Sequence, residues 1–125
     1  MTRISDAELE VLEVIWEIGE WADIAQVHHL LSAKNRWAYN TVGTFMIRLE
    51  KKGYLEHKKR GKANVYRAVI SQADYRRAET EQFIKQVHSG SKKSLLAALC
   101  GDQTDEAELD QLLRLLNDMG EKEED

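Results

Sequence analysis

In the first part of the chain, apolar residues recur every three or four positions, the spacing that places them on one face of a helix. Ser5 and Glu8 form a capping box, and Gly19 is a typical helix end. The pattern predicts three helices: one between Ser5 and Gly19, one from Ile24 to Leu31 and one from Ala38 to Lys52. Their predicted inward-facing residues are Leu9, Leu12, Ile15, Trp16, Ile24, Val27, Leu30, Leu31, Val42, Phe45, Met46 and Leu49.

The period changes after Gly53, which is expected to close the third helix as a left-handed cap. Residues 54–59 and 64–69 are predicted to form two short strands. Residues 60–63 between them form a basic turn that contains a glycine. We therefore predict a β-hairpin.

Three further helices are predicted after the hairpin. Ser71 caps a long helix that runs through Val87, residues 91–100 form a short apolar helix, and the last helix begins at Thr104. The absence of proline and the presence of only 7 glycines also favour a helix-rich fold.

Three helices followed by a hairpin is the order of elements in a winged helix-turn-helix domain. The second and third helices form the helix-turn-helix, and the hairpin is the wing. We predict a mainly α fold with a small β-hairpin. A winged helix-turn-helix domain occupies residues 1–70, and a helical domain with an acidic tail occupies residues 71–125.

Charge is distributed unevenly along the 125 residues, whose net charge is −4. Residues 48–67 are strongly basic, whereas the residues after position 101 are strongly acidic. Phosphate binding depends on the local field and not on the net charge. The basic middle of the chain is therefore a candidate surface for DNA.

The predicted third helix carries polar and basic residues opposite its apolar face, which suit hydrogen bonds to bases and phosphates. The predicted DNA-binding residues on this helix are Tyr39, Asn40, Thr41, Thr44, Arg48 and Lys51. Gly43 either allows the helix backbone to approach the duplex closely or is incidental. The alternative is an ordinary solvated helix face.

The predicted wing adds a second basic surface, which can meet a sugar-phosphate backbone. Its predicted DNA-binding residues are Lys58, Lys59, Arg60 and Lys62. An ordinary solubilising turn is the alternative. Two surfaces that fit one docking geometry favour DNA binding.

Five stretches of the chain resemble the penicillinase and methicillin-resistance repressors, which are grouped with copper-responsive repressors as the BlaI/MecI/CopY family. They are residues 4–12, Trp37, residues 41–49, residues 51–55 and Tyr66. The resemblance implies a homodimer that binds an inverted-repeat operator in double-stranded DNA and represses transcription, including that of antibiotic-resistance or metal-homeostasis genes.

The resemblance also places DNA contacts on Thr41, Thr44 and Arg48, with further contacts at the start of the same helix. The chain departs from the family after Trp37, where Ala38 and Tyr39 replace a common Ser-Pro pair. Asn40 and Gly43 stand where relatives carry basic residues. The operator sequence is therefore left open.

The C-terminal helices contain more apolar surface than short helices can bury by themselves. We predict that the homodimer forms there, and the alternative is that these residues complete a monomer core. The predicted dimerisation residues are Leu95, Leu96, Leu99, Leu109, Leu112, Leu113, Leu116 and Met119.

Two regulatory features of the family have no direct counterpart in this sequence. Antibiotic-responsive members are released when a regulatory protease cuts an Asn-Phe bond, but the corresponding residues here are Ala98 and Leu99. Copper-responsive members carry paired Cys-x-Cys motifs, but Cys100 is the only cysteine. The inducing signal and the role of a protease partner are therefore left open.

Other chemistries receive little support from the sequence. The adjacent His28 and His29 diverge on a helix and cannot chelate one ion well. Ser5 and Ser71 are interpreted as helix caps, and no catalytic set is recognisable. We therefore predict a cytoplasmic protein that is not an enzyme and has no cofactor, metal site or membrane segment. Two rival functions stay open: a winged helix that binds a protein, and a regulator with a ligand pocket at the dimer seam.

Overall fold

The computed structural model describes the backbone of residues 3–124 and the side chains of residues 3–119. Six α-helices and a two-stranded antiparallel hairpin follow one another in the predicted order, which confirms the predicted fold class. The elements are α1 (Asp6–Ile18), α2 (Ile24–Leu31), α3 (Tyr39–Lys51), β1 (Leu55–Arg60), β2 (Ala63–Ala68), α4 (Gln72–Val87), α5 (Lys92–Cys100) and α6 (Glu106–Glu124).

Reciprocal capping boxes determine where α1 and α2 begin. The backbone N–H of Glu8 donates to Ser5 Oγ at 3.2 Å, and the backbone N–H of Ser5 donates to Glu8 Oε1 at 3.1 Å. Asp23 and Gln26 make the same exchange at 2.8 and 2.9 Å. Gly19 ends α1 with a φ of 73°. These local hydrogen bonds satisfy free helix-end donors, which explains why the sequence predicted both starts.

Helix α3 is one residue shorter at each end than predicted, because Ala38 and Lys52 are its cap residues. The helix ends in a Schellman motif. The N–H of Tyr54 donates to the carbonyl of Leu49, and the N–H of Gly53 donates to that of Glu50. Gly53 has a φ of 94°, which only glycine adopts readily.

A compact core lies between the first three helices and the base of the hairpin. The side chains of Leu12, Val42 and Met46 are fully buried there. Trp16 packs against this core and donates from Nε1 to the carbonyl of Ile70 at 2.9 Å. The prediction that Leu30 faces inward is wrong, because its side chain is 43% exposed. The short helix α2 buries only the stripe that contacts its neighbours.

The hairpin has a regular register from Leu55–Ala68 at its base to Arg60–Ala63 at its tip. Gly61 is the first of the two turn residues and has a φ of 64°, as a type II′ turn requires. Ala22 and Tyr66 exchange two backbone hydrogen bonds of 2.9 and 2.8 Å. The segment between α1 and α2 is thus tied to β2, which anchors the wing to the helical core.

The described residues divide into two compact units at the Tyr75–Arg76 bond. In the second unit, Lys93 on α5 forms ion pairs with Glu106 at 3.3 Å and Asp110 at 3.0 Å on α6. The prediction that α6 begins at Thr104 is wrong by two residues. Asp105 caps it by accepting a 2.9 Å hydrogen bond from a backbone N–H of the first turn.

Candidate nucleic-acid interface

The outer face of α3 is opposite its contact with the core. Val42, Met46 and Leu49 are fully buried on the inner side. The exposed residues on the outer side, called here the outer face of α3, are Asn40, Thr41, Thr44, Ile47, Arg48 and Lys51. All of these residues except Ile47 were predicted as DNA contacts. The amphipathic pattern is sufficient to place them, because the helix has a fixed period.

Tyr39 lies apart from the other predicted contacts on α3. At about 100° per residue, its side chain leaves the helix far from the direction of Thr44. Its ring is 49% exposed and lies 5.9 Å from the His28 ring, edge to face. His28 Nε2 in turn lies 3.0 Å from the carbonyl oxygen of Trp37. Tyr39 therefore marks the junction of α2 and α3 and not the centre of the outer face.

The hydroxyl of Thr44 is engaged by its own helix. Thr44 Oγ1 donates to the carbonyl of Asn40 at 2.9 Å, so its proton is already used. While this bond is present, the Thr44 hydroxyl has no proton to donate to a base or phosphate, although its oxygen can still accept one. The DNA contact of Thr44 stays a prediction. Threonine makes this bond readily because its hydroxyl can reach the carbonyl one turn earlier.

Gly43 faces α2 and not the outer side of α3. It is buried, and a Cβ built there would lie 3.4 Å from Cδ1 of Ile24. The expectation that Gly43 allows close approach to a duplex is therefore wrong. Its missing side chain instead leaves room for close packing of α2 against α3.

The cations of the wing are divided between its two faces, since side chains alternate along a strand. Lys58 shares a face with Arg67, and both stand over the ring of Trp21. Lys58 Nζ lies 4.5 Å and Arg67 Cζ 4.4 Å from its centroid. Lys59 is on the other face beside His57, and Arg60 and Lys62 lie at the exposed tip.

Trp21 and Arg67 form a stacked pair that was not predicted from the sequence. Arg67 also forms an ion pair with Glu56 on the neighbouring strand. Cation–π contacts hold flexible cations in place at modest energy. No local pattern connects Trp21 to Lys58, because the contact depends on the pairing of the connecting segment with β2.

The opposite face of the hairpin is tied to α3. His57 Nδ1 lies 2.7 and 2.6 Å from the two carboxylate oxygens of Glu50 on α3. The His57 ring also packs against Tyr66 with a centroid separation of 5.6 Å. Burial, followed by the Glu50 charge, raises the pKa of Tyr66. The wing and the outer face of α3 therefore keep a defined relative position.

A partly buried ion pair joins the start of α1 to the end of α3. Lys52 Nζ lies 2.8 Å from Glu8 Oε1 and 3.3 Å from the carbonyl of Arg3. Burial alone would raise the pKa of the Glu8 carboxyl, but hydrogen bonds from Lys52 and Ser5 outweigh it and lower the pKa. Lys52 is thus a structural cation, unlike its neighbour Lys51, which is exposed.

The predicted dimerisation residues fall into three groups in the structure. Leu109 is only 8% exposed and packs within its own chain. Leu95, Leu96 and Leu113 are half-buried. The other predicted residues are exposed, namely Leu99 (74%), Leu112 (38%), Leu116 (49%) and Met119 (59%). Leu115, which was not predicted, is 59% exposed.

Two other kinds of site were sought among the described residues. Among residues 3–119, whose side chains the structure describes, no group of three or more His, Cys, Asp or Glu side chains is placed to hold a metal ion. None of the helices described is both long and apolar enough to cross a lipid bilayer. Cys100 is a free, half-buried cysteine at the end of α5.

Comparison with known proteins identifies the family. Residues 4–118 match the family described as penicillinase repressor. The chain is 35% identical to the penicillinase repressor of Bacillus licheniformis over 93% of this chain and 91% of that protein. It is 28% identical to the methicillin resistance regulatory protein MecI of Mammaliicoccus sciuri over 92% of this chain and 94% of that protein.

Two solution structures resemble the N-terminal part of the chain. One is the monomeric form of Bacillus licheniformis BlaI in complex with the blaP half-operator, which is 42% identical, with a TM-score of 0.51, over 59% of this chain and 89% of that one. The other is the DNA-binding domain of the repressor BlaI, which is 42% identical with a TM-score of 0.52 over 58% and 88% of the two chains. The chain therefore belongs to the penicillinase repressor family, a family of DNA-binding transcriptional repressors and not of enzymes.

Proposed function

We propose that this chain represses transcription by binding an inverted-repeat operator in double-stranded DNA as a homodimer. The observation that carries the proposal is the outer face of α3, which lies exposed beside a basic wing that is tied to the same helix. The half-operator complex of the 42% identical BlaI chain supports DNA as the ligand.

In this proposal α3 enters the major groove. Arg48 is suited to a bidentate contact with guanine or to a phosphate, and Asn40 to adenine or a phosphate. Thr41 completes the polar contacts, and Lys51 lies at the end of the helix, where it can meet the DNA backbone. Lys52 is excluded because its ammonium group is held by Glu8.

The wing supplies contacts that do not depend on sequence. Lys59, Arg60 and Lys62 are exposed on or near the hairpin tip, and Lys58 is held against Trp21. Each phosphate that a cation neutralises releases counterions and makes binding more sensitive to salt. The wing therefore contributes affinity and orientation, while α3 contributes specificity.

The homodimer is proposed to form through the second unit. Leu112, Leu115, Leu116 and Met119 expose much of their side chains on α6, and Leu99 does so on α5. Burying one such side chain contributes about 1.5–3 kcal/mol. A second copy of the chain would cover them and bring two copies of α3 to a palindromic site.

A regulatory protease is retained as a proposed partner. The position that corresponds to the family's cleaved bond, Ala98–Leu99, lies within α5, and Leu99 is 74% exposed. A protease could reach this turn after local opening of the helix. Incubation of the purified chain with its cell extract, followed by mass spectrometry, tests whether a cut occurs between these residues.

The test of the function is binding of the purified protein to the DNA upstream of its own gene, titrated with salt. We expect preferential binding to an inverted repeat, a steep loss of affinity with salt, and loss of preference in the double variant Thr44→Ala, Arg48→Ala. The matched control is Arg76→Ala, Thr80→Ala on α4. Thr80 donates to the Arg76 carbonyl at 2.8 Å, as Thr44 does to Asn40. Absence of any preference over random DNA, there and in a genome-wide selection, would overturn the proposal.

A further inference from the structure

The centre of the outer face of α3 is apolar, although its surroundings are polar. The hydroxyl of Thr44 is directed at the carbonyl of Asn40, 2.9 Å away, along the helix backbone. The side chain of Thr44 is nevertheless exposed. Because threonine carries only these two groups on Cβ, its methyl group is the one that is not directed at the helix backbone.

Ile47 enlarges this apolar centre. Its side chain is 48% exposed, whereas the other apolar residues between Val42 and Leu49 are buried or half-buried. Residues three apart on a helix have Cβ atoms about 5–6 Å apart, so Ile47 adjoins the Thr44 methyl group. Asn40, Arg48 and Lys51 surround the pair on the same face. The two apolar groups thus form one small patch in the middle of a polar surface.

We propose that this patch, the Thr44 methyl group with the Ile47 side chain, recognises the 5-methyl group of a thymine in the major groove. Thymine is the only base that presents a methyl group there. The inference rests on the proposed function, since it assumes that the outer face of α3 enters the groove. It adds the class of base that the centre of each half-site must contain.

The hydrogen bond from the Thr44 hydroxyl to the Asn40 carbonyl supports this assignment. With its proton donated to Asn40, Thr44 cannot also donate to guanine O6 or thymine O4 without breaking that bond. Ile47 has no polar atom to offer. Hydrogen-bond donation to bases on this face therefore falls to its polar neighbours, and the patch discriminates by apolar contact.

The experiment replaces each thymine of the operator, one at a time, by deoxyuridine, which removes only the methyl group. We expect wild-type affinity to fall about fourfold per half-site at one symmetric position, the factor that corresponds to the burial of one methyl group. The other thymine positions are expected to show no such loss.

Three variants assign the effect to the patch. Thr44→Val keeps a methyl group and removes the hydroxyl, so it is expected to retain wild-type affinity and sensitivity to deoxyuridine. Thr44→Ser keeps the hydroxyl and removes the methyl group, so it is expected to bind the thymine operator about fourfold more weakly per half-site. Thr44→Ser and Ile47→Ala are both expected to lose part or all of the preference for thymine over deoxyuridine. Val69→Ala, which trims another side chain that is 49% exposed, is the matched control.

The outcomes separate this inference from the proposed function. If wild type shows no sequence preference, the proposed function fails and the inference fails with it. If wild type prefers its operator but no deoxyuridine substitution weakens binding, only the inference is overturned. It is also overturned if Thr44→Val loses affinity while Thr44→Ser keeps its preference for thymine, since the hydroxyl would then make the contact.

Discussion

The two compact units of the chain differ in where their apolar side chains lie. In the first unit, core residues such as Leu12, Val42 and Leu49 are fully buried, and the exposed face of α3 is mostly polar. Among positions 76–119 of the second unit, Leu109 is the only buried apolar residue, whereas leucines such as Leu115 are exposed. The first unit has a core of its own, whereas the second leaves apolar side chains exposed, which the proposed dimer would cover.

The largest expected effect tests the core of the first unit. Leu49→Ala removes a fully buried side chain that packs between α3 and the core, so we expect a loss of about 2–5 kcal/mol in the free energy of unfolding. Urea denaturation monitored by circular dichroism measures it. The matched control is Leu115→Ala, which is expected to leave this transition nearly unchanged in the monomer. Equal losses for both variants would contradict the contrast between the units.

The next effect tests the second unit as an interface. Leu112→Glu, Leu116→Glu places two charges among exposed leucines, and we expect the dimer dissociation constant to rise at least about 100-fold. Sedimentation equilibrium measures it. Leu30→Glu is the control, since Leu30 is similarly exposed at 43% but lies in the first unit. An unchanged dissociation constant in the double variant would show that the dimer forms elsewhere.

A smaller effect concerns the partly buried pair of Glu8 and Lys52 in the first unit. The pKa of Glu8 is lowered in the folded state from its ordinary value of 4.5, so its charge stabilises the fold above pH 4.5. That contribution is lost as the pH falls through the lowered pKa. Glu8→Gln is expected to cost about 1–3 kcal/mol at pH 7, and the difference from wild type should shrink in urea denaturation well below pH 4.5. A difference that is independent of pH would contradict this role.

The smallest effect distinguishes exposed cations of the wing from other lysines. Lys59→Ala is expected to reduce the slope of log affinity against log salt by about 0.9 per half-site, which corresponds to one phosphate contact in each chain. Lys85→Ala on α4 is the control and should leave the slope unchanged. Fluorescence anisotropy at several salt concentrations measures both. Identical slopes for Lys59→Ala and wild type would remove Lys59 from the proposed interface.

Local signals were sufficient to predict most of the first unit. Ser5 and Asp23 marked the starts of α1 and α2 because capping depends only on residues within one turn. Gly53 marked the end of α3 for the same reason. The period of α3 also placed its outer face correctly, apart from Ile47, whose apolar side chain gave no reason to expect exposure.

Features that depend on distant contacts were missed. The position of Gly43 against Ile24 depends on how α2 crosses α3, and the stacking of Lys58 on Trp21 depends on strand pairing. The engagement of the Thr44 hydroxyl is local, but a sequence does not specify which rotamer a threonine adopts. These features therefore depend on tertiary packing or on rotamer choice, which the spacing of residues along the sequence does not reveal.

The most direct test of the account is a hydroxyl-radical footprint of the protein on the DNA upstream of its gene, with the stoichiometry measured on the same duplex. We expect two chains per duplex and two symmetric protected half-sites, with centres separated by about 10–10.5 base pairs or a multiple of this. Such a result would mean that two chains occupy a palindromic operator, as the account requires. A single unpaired half-site with one bound chain, or protection without sequence preference, would contradict it.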